Sequence, residues 1–385
     1  MSAKQREAEH LVQVYGQLDI EPDHAAGVYL HCDGRAYIDF YGGHAVTALG
    51  YGHPAMLAAL NEQASSVIFQ SNAVAMDVRA NAAEALANFA PTGLDHVFFV
   101  NSGAEANENA LRIACKLTGR SKIVALEHGF HGRTAGAAAV TWGSANRWYG
   151  FPQKPFDVDF MPRDGTSDPA VHITSDTAAV IIELVQGLGG AYDLDTGFVT
   201  AIAGACAQQG ALLIVDEVQT GMGRSGQPFA ADLYGIRPDM LTTAKSLAGG
   251  FPCGALLVTD SISGELKPGD LGTTFGGGPL ACALISAVIT TIQEEKLLDN
   301  VRKLSQQLLD AFPLGPVSAV SGKGFLLGLH CDRPAGEVRD ELLSKNIIVG
   351  TSAVPQVIRL LPPLVLEQQH VDQLLEALRE IPASR

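Results

Sequence analysis

The chain has 385 residues, 47% of them hydrophobic, and a formal charge of −15 at neutral pH. That length accommodates two domains around a large core, and the apolar share excludes a mainly disordered chain. The acidic balance opposes nonspecific binding to nucleic acid or anionic membranes, so neither is expected as a partner, but a local anion site stays open.

The N-terminal stretch MSAKQREAEHLVQVYG reads as a short polar helix without the apolar run of a signal peptide. Tyr29–Phe40 reads as two strands around an Asp33-Gly34 turn. Pro54 starts a helix after His53, and Asp77–Phe89 is a second, Ala-rich helix. From there the pattern is α/β: strand Asp95–Asn101, helix Ala104–Leu117, and strands Lys122–Glu127 and Ala178–Leu184. Helix Thr200–Gln209 and strands Ala211–Asp216 and Met240–Ala244 follow. Short apolar strands alternating with helices predict a mostly parallel sheet covered on both faces. Gly254–Val258 is a further strand whose direction the pattern leaves open.

Helices are expected at Leu280–Glu294 and Leu297–Ala311, strands near Gly324–Leu329 and Val357–Leu360, and an amphipathic helix near Gln368–Ile381. The resulting division is 1–50 as the N-terminal part of a small α+β domain, 51–280 as a large domain, and 281–385 as the rest of the small one. No window offers roughly 18 apolar residues, so no membrane span is expected. The six cysteines, at 32, 115, 206, 253, 282 and 331, form neither CxxC nor Cys/His spacings. They read as reduced, buried thiols of a cytoplasmic protein.

Several segments carry residues suited to chemistry. The apolar strand Ala211–Asp216 ends in adjacent acids, Asp216 and Glu217, before a Gly-rich stretch. Ligands of open α/β sheets bind at such carboxyl ends; acids there also cap the next element or pair with an arginine, and both readings stand. Lys245 leaves another apolar strand just ahead of a glycine pair. It is either a nucleophile with a depressed pKa or a lysine whose stem is buried and whose ammonium reaches solvent.

Asn101-Ser-Gly-Ala-Glu-Ala-Asn107 joins a strand to a helix start, where open N–H groups and the Ser102 hydroxyl suit a phosphate or merely cap the helix. Thr273–Gly278 is a second candidate for anion contacts. In Glu127–Thr134, Phe130 suits the face of a planar ligand and Arg133 a carboxylate. His128 and His131 have no third ligand at metal spacing, so no metal is expected and they read as bonding the turn.

In order and spacing, these segments resemble the class III, fold-type I aminotransferases, closest to the acetylornithine and succinylornithine enzymes. The anchors are Tyr51-Gly-His-Pro54, Asn101–Glu108, Phe130-His-Gly-Arg-Thr134, Asp216-Glu-Val-Gln-Thr-Gly221, Lys245, Thr274-Phe-Gly-Gly277 and Arg359-Leu-Leu-Pro-Pro363. The resemblance implies a seven-stranded, mostly parallel large-domain sheet and a pyridoxal 5′-phosphate cofactor carried by Lys245 as a Schiff base. It further implies that Asp216 faces the ring nitrogen, Gln219 the phenolic oxygen, and Val218 and Phe130 the two ring faces. Glu183 belongs to the same pocket; Ser102, Gly103 and Ala104 hold the phosphate. Thr274 completes that phosphate site from the neighbouring subunit, which implies a homodimer with shared sites.

The implied reaction is ping-pong, with amino-acid and oxo-acid substrates and one lysine as anchor and proton carrier. By the same resemblance Arg133 binds the carboxylate far from the reacting amine and Arg359 the glutamate α-carboxylate. This favours transfer of the δ-amino group of N-acetylornithine, or N-succinylornithine, to 2-oxoglutarate. Three positions depart from the family pattern: Leu188 in Glu183-Leu-Val-Gln-Gly-Leu-Gly-Gly190 replaces an acid, Gly278 an asparagine, and His44 a small apolar residue. Other ω-aminotransferases, an isomerising enzyme and a non-enzymatic interaction protein on this fold are the alternatives; stoichiometric glutamate formation separates transamination from isomerisation.

Overall fold

The structure, a computed structural model, describes residues 1–384. A helix at Ala3–His10, capped by Ser2, buries none of its own residues. Strands β1 (His24–Ala26), β2 (Tyr29–Cys32) and β3 (Arg35–Asp39) then form an antiparallel meander. Its second turn puts Asp33 and Gly34 at positive φ, as a two-residue hairpin turn of the right twist requires.

The large sheet contains β4 (His96–Val100), β5 (Lys122–Leu126), β6 (Asp157–Met161) and β7 (Thr177–Ile182). A short ribbon, β8 (Val185–Gln186) with β9 (Tyr192–Asp193), intervenes before β10 (Leu212–Asp216), β11 (Met240–Thr243) and β12 (Gly254–Val258) complete it. The spatial order is β4-β12-β11-β10-β7-β5-β6. Only β12 runs against its neighbours, β11 and β4; the other contacts are parallel. This is the mostly parallel, seven-stranded α/β sheet expected. Sequence reading did not find β6, an edge strand whose residues Asp157, Val158, Asp159 alternate and are only partly buried.

Alternate residues of the strands face opposite layers. Val180, Ile182, Leu213 and Val215 meet Phe198 and Ile202 of the helix Thr196–Gln209. Ile181, Ile214 and Met240 meet Leu111 and Ile113 of the helix Gly103–Thr118. The chain passes from β5 to β6 on one side and then to β7 on the other, so the order reverses between β5 and β7. A crevice for ligands forms outside the carboxyl ends at such a reversal.

The C-terminal part adds an antiparallel sheet of β13 (Val317–Lys323), β14 (Leu326–Cys331), β16 (Gly350–Thr351) and β17 (Val357–Leu360) in the order β13-β14-β17-β16. Between them, β15 (Ile347–Ile348) pairs in parallel with β3, so the two ends of the chain share a sheet. One apolar cluster runs through Phe40, Leu86, Leu247, Ile285, Phe325 and Leu374, welding this part to the large sheet. Among the described residues no helix is long and apolar enough to cross a membrane.

Candidate active site

Asp216, the last residue of β10, is buried beneath the crevice. Its Oδ2 accepts from Asn107 Nδ2 at 2.7 Å and lies 2.7 Å from His131 Nδ1, while Oδ1 accepts from the Val218 N–H at 3.0 Å. Asn107 also donates to the His131 carbonyl and accepts from Thr242 Oγ1. The chain thus orients one carboxylate from three elements. Sequence reading missed Asn107 and took His131 for a turn residue. The neighbouring acid, Glu217, points the other way and caps Ala230 and Ala231. Of the two readings of the acid pair, each residue follows one.

Lys245 follows β11 in the left-handed region, φ 49°, an outlier of the kind that concentrates at functional sites. It is half-buried and forms no ion pair or hydrogen bond with the described residues. Loss of solvent pushes its ammonium below the ordinary lysine value, against the pull of Asp216 and Glu183 and with the push of Arg359 and Arg224. Glu183, just past β7, accepts from the N–H groups of Phe130 and Gly187. Burial pushes its carboxyl upward, and the nearby Asp216 adds to this.

Three buried polar atoms here lack an internal partner: Gln219 Oε1, His131 Nε2 and Arg359 Nη1. Buried polar groups are nearly always paired, so the crevice is built to meet a ligand. Ser102 caps the helix Gly103–Thr118, whose first N–H groups, including those of Gly103 and Ala104, are left open by helix geometry. A Cβ on Gly103 would fall 2.7 Å from Val218 Cγ2, so glycine lets the helix start approach that side chain. Likewise a Cβ on Gly187 would sit 1.5 Å from Gln219 Oε1. Gly187→Ala is therefore expected to displace Gln219 and, on the role the resemblance implies for Gln219, to weaken pyridoxal phosphate binding roughly tenfold, which equilibrium dialysis measures; an unchanged constant takes that role from Gln219.

Two further cations border the crevice. Arg133 is exposed, its guanidinium carbon 5.4 Å from the Phe130 ring and 5.5 Å from that of Trp148. Arg359, on β17, is buried; Nε donates to the Thr351 carbonyl at 2.8 Å and the guanidinium lies 5.9 Å from the Tyr41 ring centre. Neither arginine has a carboxylate partner among the described residues. Residues Gly42, Gly43, His44 and Ala45 all take positive φ, 57°, 55°, 74° and 62°. For His44 and Ala45 this costs about 1–2 kcal/mol each. Asp39 offsets it by accepting from the N–H groups of Tyr41, Gly42 and Gly43 and from the Tyr51 hydroxyl. Ser246, next to Lys245, donates to the Ala45 carbonyl.

Residues 13–381 match the family described as Aminotransferase class-III. The chain belongs to the class III aminotransferases. It is similar to an acetylornithine aminotransferase of Streptomyces coelicolor, 43% identical over 90% of this chain and 86% of that one. The crystal structure of the ornithine aminotransferase from Toxoplasma gondii superposes with a TM-score of 0.91 at 27% identity, covering 98% and 92% of the two chains. Acetylornithine aminotransferase from Elizabethkingia anophelis gives 0.84 at 26%, covering 98% and 97%.

This class III aminotransferase is accordingly a pyridoxal-phosphate-dependent enzyme of fold-type I acting on amino and oxo acids. Its crevice fits that cofactor's chemistry: an unpaired amine, an open helix start for a phosphate, an oriented carboxylate for a ring nitrogen and a free amide oxygen. Thr274 is exposed and forms no hydrogen bond with the described residues. No sequence signal linked residues 107, 131 and 216; only the fold brings them together.

Proposed function

We propose that this enzyme transfers the δ-amino group of N-acetylornithine, or N-succinylornithine, to 2-oxoglutarate, giving the semialdehyde and glutamate. The observation that carries the reading is the pair of guanidinium groups, Arg133 beside Phe130 and Trp148 and Arg359 beside Tyr41, that border the crevice without a carboxylate partner among the described residues. Two such cations suit an amine bearing one carboxylate and an acceptor bearing two. The names of the similar acetylornithine aminotransferases support it.

Bound pyridoxal phosphate supplies an aldehyde for the amine and a ring that withdraws electrons from the carbon losing its proton. Lys245 holds the cofactor and, once released, carries that proton at Nζ; burial lowers its ammonium pKa, which favours giving up a proton compared with an exposed lysine. Asp216, steadied by Asn107 and His131, keeps a proton on the ring nitrogen. Gln219 orients the phenolic oxygen, Val218 and Phe130 flank the ring, and Glu183 fixes the Phe130 backbone and Gly187. Ser102, Gly103 and Ala104 hold the phosphate. Arg133 takes the distal carboxylate and Arg359 the α-carboxylate of glutamate.

Thr274 reaches the phosphate of a second copy in this reading, so the enzyme works as a homodimer in the cytoplasm. Ile68, Phe69 and Phe275, 63%, 43% and 66% exposed, support a covered face beside it. Following the cofactor spectrum as N-acetylornithine, N-succinylornithine, ornithine, 4-aminobutyrate and glutamate are added separately tests the assignment. Reaction with ornithine or 4-aminobutyrate but neither acylornithine overturns it.

Leu188 stands half-buried where the family pattern has an acid, and its carbonyl accepts from the Ala353 N–H. Leu188→Glu gives Arg359 a partner that glutamate must displace and an acylornithine need not. The glutamate half-reaction is expected to weaken roughly tenfold more than the acylornithine one. Stopped-flow titration of both halves reads the difference; equal losses make Leu188 ordinary packing.

A further inference from the structure

We infer that Arg79 is a positioning residue for the cofactor site of a second copy, a role that rests on the reading of Thr274 as a phosphate contact across the dimer. Two helices, Asp77–Phe89 and Pro279–Glu294, pack against each other, with Leu86 and Ile285 in one apolar cluster. The segments leading into them, residues 70–76 and 272–278, lie side by side. Arg79 is in the first turn of the first helix and reaches into both segments. Its Nε donates to the Gly277 carbonyl at 2.8 Å, Nη1 to Val74 at 2.8 Å, and Nη2 to Gln70 at 3.1 Å and Ser71 at 3.3 Å. Four carbonyls from two segments thus converge on one planar group whose N–H donors form a rigid fork.

An arginine that takes only backbone carbonyls fixes the course of the chain rather than balancing a charge, and its bonds are strong because the donor is ionised. Asn72 adds a second link, Nδ2 donating to the Gly276 carbonyl at 2.9 Å. Glycine is needed at both receiving positions. Gly277 takes φ 75°, and a Cβ there would lie 3.2 Å from Arg79 Nε. A Cβ on Gly276 would lie 2.2 Å from the Phe99 carbonyl oxygen, so the loop sits directly on β4.

The neighbours of Thr274 are fixed on both sides. Thr273 Oγ1 accepts from the Gly276 N–H at 3.1 Å and from Asn101 Nδ2 at 3.4 Å. The Phe275 ring meets that of Phe69, 5.3 Å between centres. From 273 to 277, Thr274 alone engages no other part of the described chain by side chain or carbonyl; its hydroxyl is exposed. A hydroxyl held in the open by a braced loop is preorganised for a group outside its own subunit. Cutting the Arg79 link frees the loop, and ordering it again on binding lowers affinity for the phosphate without deleting a contact to it.

Equilibrium dialysis of the full-length dimer against pyridoxal phosphate reads the effect. The dissociation constant is expected to rise about tenfold in Thr274→Ala and about fivefold in Arg79→Met. The double variant should rise only about tenfold, where independent effects would give about fiftyfold. Mixed dimers, purified through two different tags, locate the effect in space, with cofactor trapped on Lys245 by borohydride as the readout. A Lys245→Ala subunit beside an Arg79→Met subunit has one competent site, completed by an unsubstituted loop, and it should bind as wild type does. With both substitutions in one subunit opposite a wild-type one, the competent site meets the altered loop and should weaken about fivefold. If Arg79→Met folds poorly, Asn72→Ala, which cuts only the link to Gly276, enters the same cycle with an expected loss of about threefold. Equal weakening in the two arrangements, the reverse pattern, additive losses in the double variant, or a monomeric Arg79→Met makes Arg79 a brace of its own subunit and overturns the role. Thr274→Ala binding as wild type removes the phosphate reading itself, and the role of Arg79 with it. Loss in Thr274→Ala without loss in Arg79→Met or Asn72→Ala overturns the role of Arg79 alone.

Discussion

Lys245→Ala is expected to lower turnover by on the order of 100,000-fold, the scale lost when an intramolecular reactant is replaced by solvent. Lys245 forms no hydrogen bond or ion pair with the described residues and lies half-buried near Asp216, Glu183 and Arg359. A side chain so placed is free both to hold the cofactor and to carry a proton, and alanine does neither. No other lysine lies within residues 240–250, Met-Leu-Thr-Thr-Ala-Lys-Ser-Leu-Ala-Gly-Gly. Borohydride reduction followed by peptide mapping should fix the cofactor on the peptide containing Lys245. A label on another lysine, or a variant retaining a tenth of the activity, defeats the assignment.

How far the sequence could be read depended on whether a feature is local. Gly254–Val258 and Val357–Leu360 are short apolar runs bounded by breakers, and both are strands at those bounds. Asp77–Phe89 follows its helical pattern to the residue. β6, at a partly wetted edge, keeps alternating acids and hid from a search for apolar runs. β13 and the helix Ala335–Ser344 were missed as well: β13 faces solvent along much of its length, and the helix buries only Ala335, Val338 and Leu342.

The crevice divides in the same way. Asp216 and Lys245 could be singled out because each ends or follows an apolar strand, where a charge is conspicuous; Glu183, inside the expected strand Ala178–Leu184, entered only through the family resemblance. Asn107 and His131 could not, because their partner is 109 and 85 residues away. The turn at Gly42–Ala45 was half visible. Paired glycines announce positive φ, but that His44 and Ala45 follow them depends on the Asp39 carboxylate gathering three N–H groups. Leu188 was legible as a missing acid; the Tyr41–His44 pair was not, since it exists only through that turn.

Asp216→Ala is expected to slow proton removal in the half-reaction about 100- to 1,000-fold, the usual loss when one preorganised charge is taken from a reacting system. Cofactor should still bind through the helix start at Ser102. The substitution has a second effect that must be separated from the first. Asn107 Nδ2 retains the His131 carbonyl, but His131 Nδ1 loses its only acceptor among the described residues. Leaving that buried group unpaired costs about 1–3 kcal/mol of stability. Asp216→Asn resolves the two: it keeps the shape and an acceptor oxygen while removing the charge that keeps a proton on the ring nitrogen. Its thermal midpoint should therefore lie closer to wild type than that of Asp216→Ala, while its single-turnover rate falls comparably. His131→Ala gives the complementary case, leaving the carboxylate in place without one of its three partners, so its rate should fall less than that of either Asp216 variant. Stopped-flow rates at saturating cofactor, set beside melting curves for the three variants, order the effects. If Asp216→Asn reacts as fast as wild type with cofactor bound, the charge is dispensable, and Asp216 only braces Asn107 and His131.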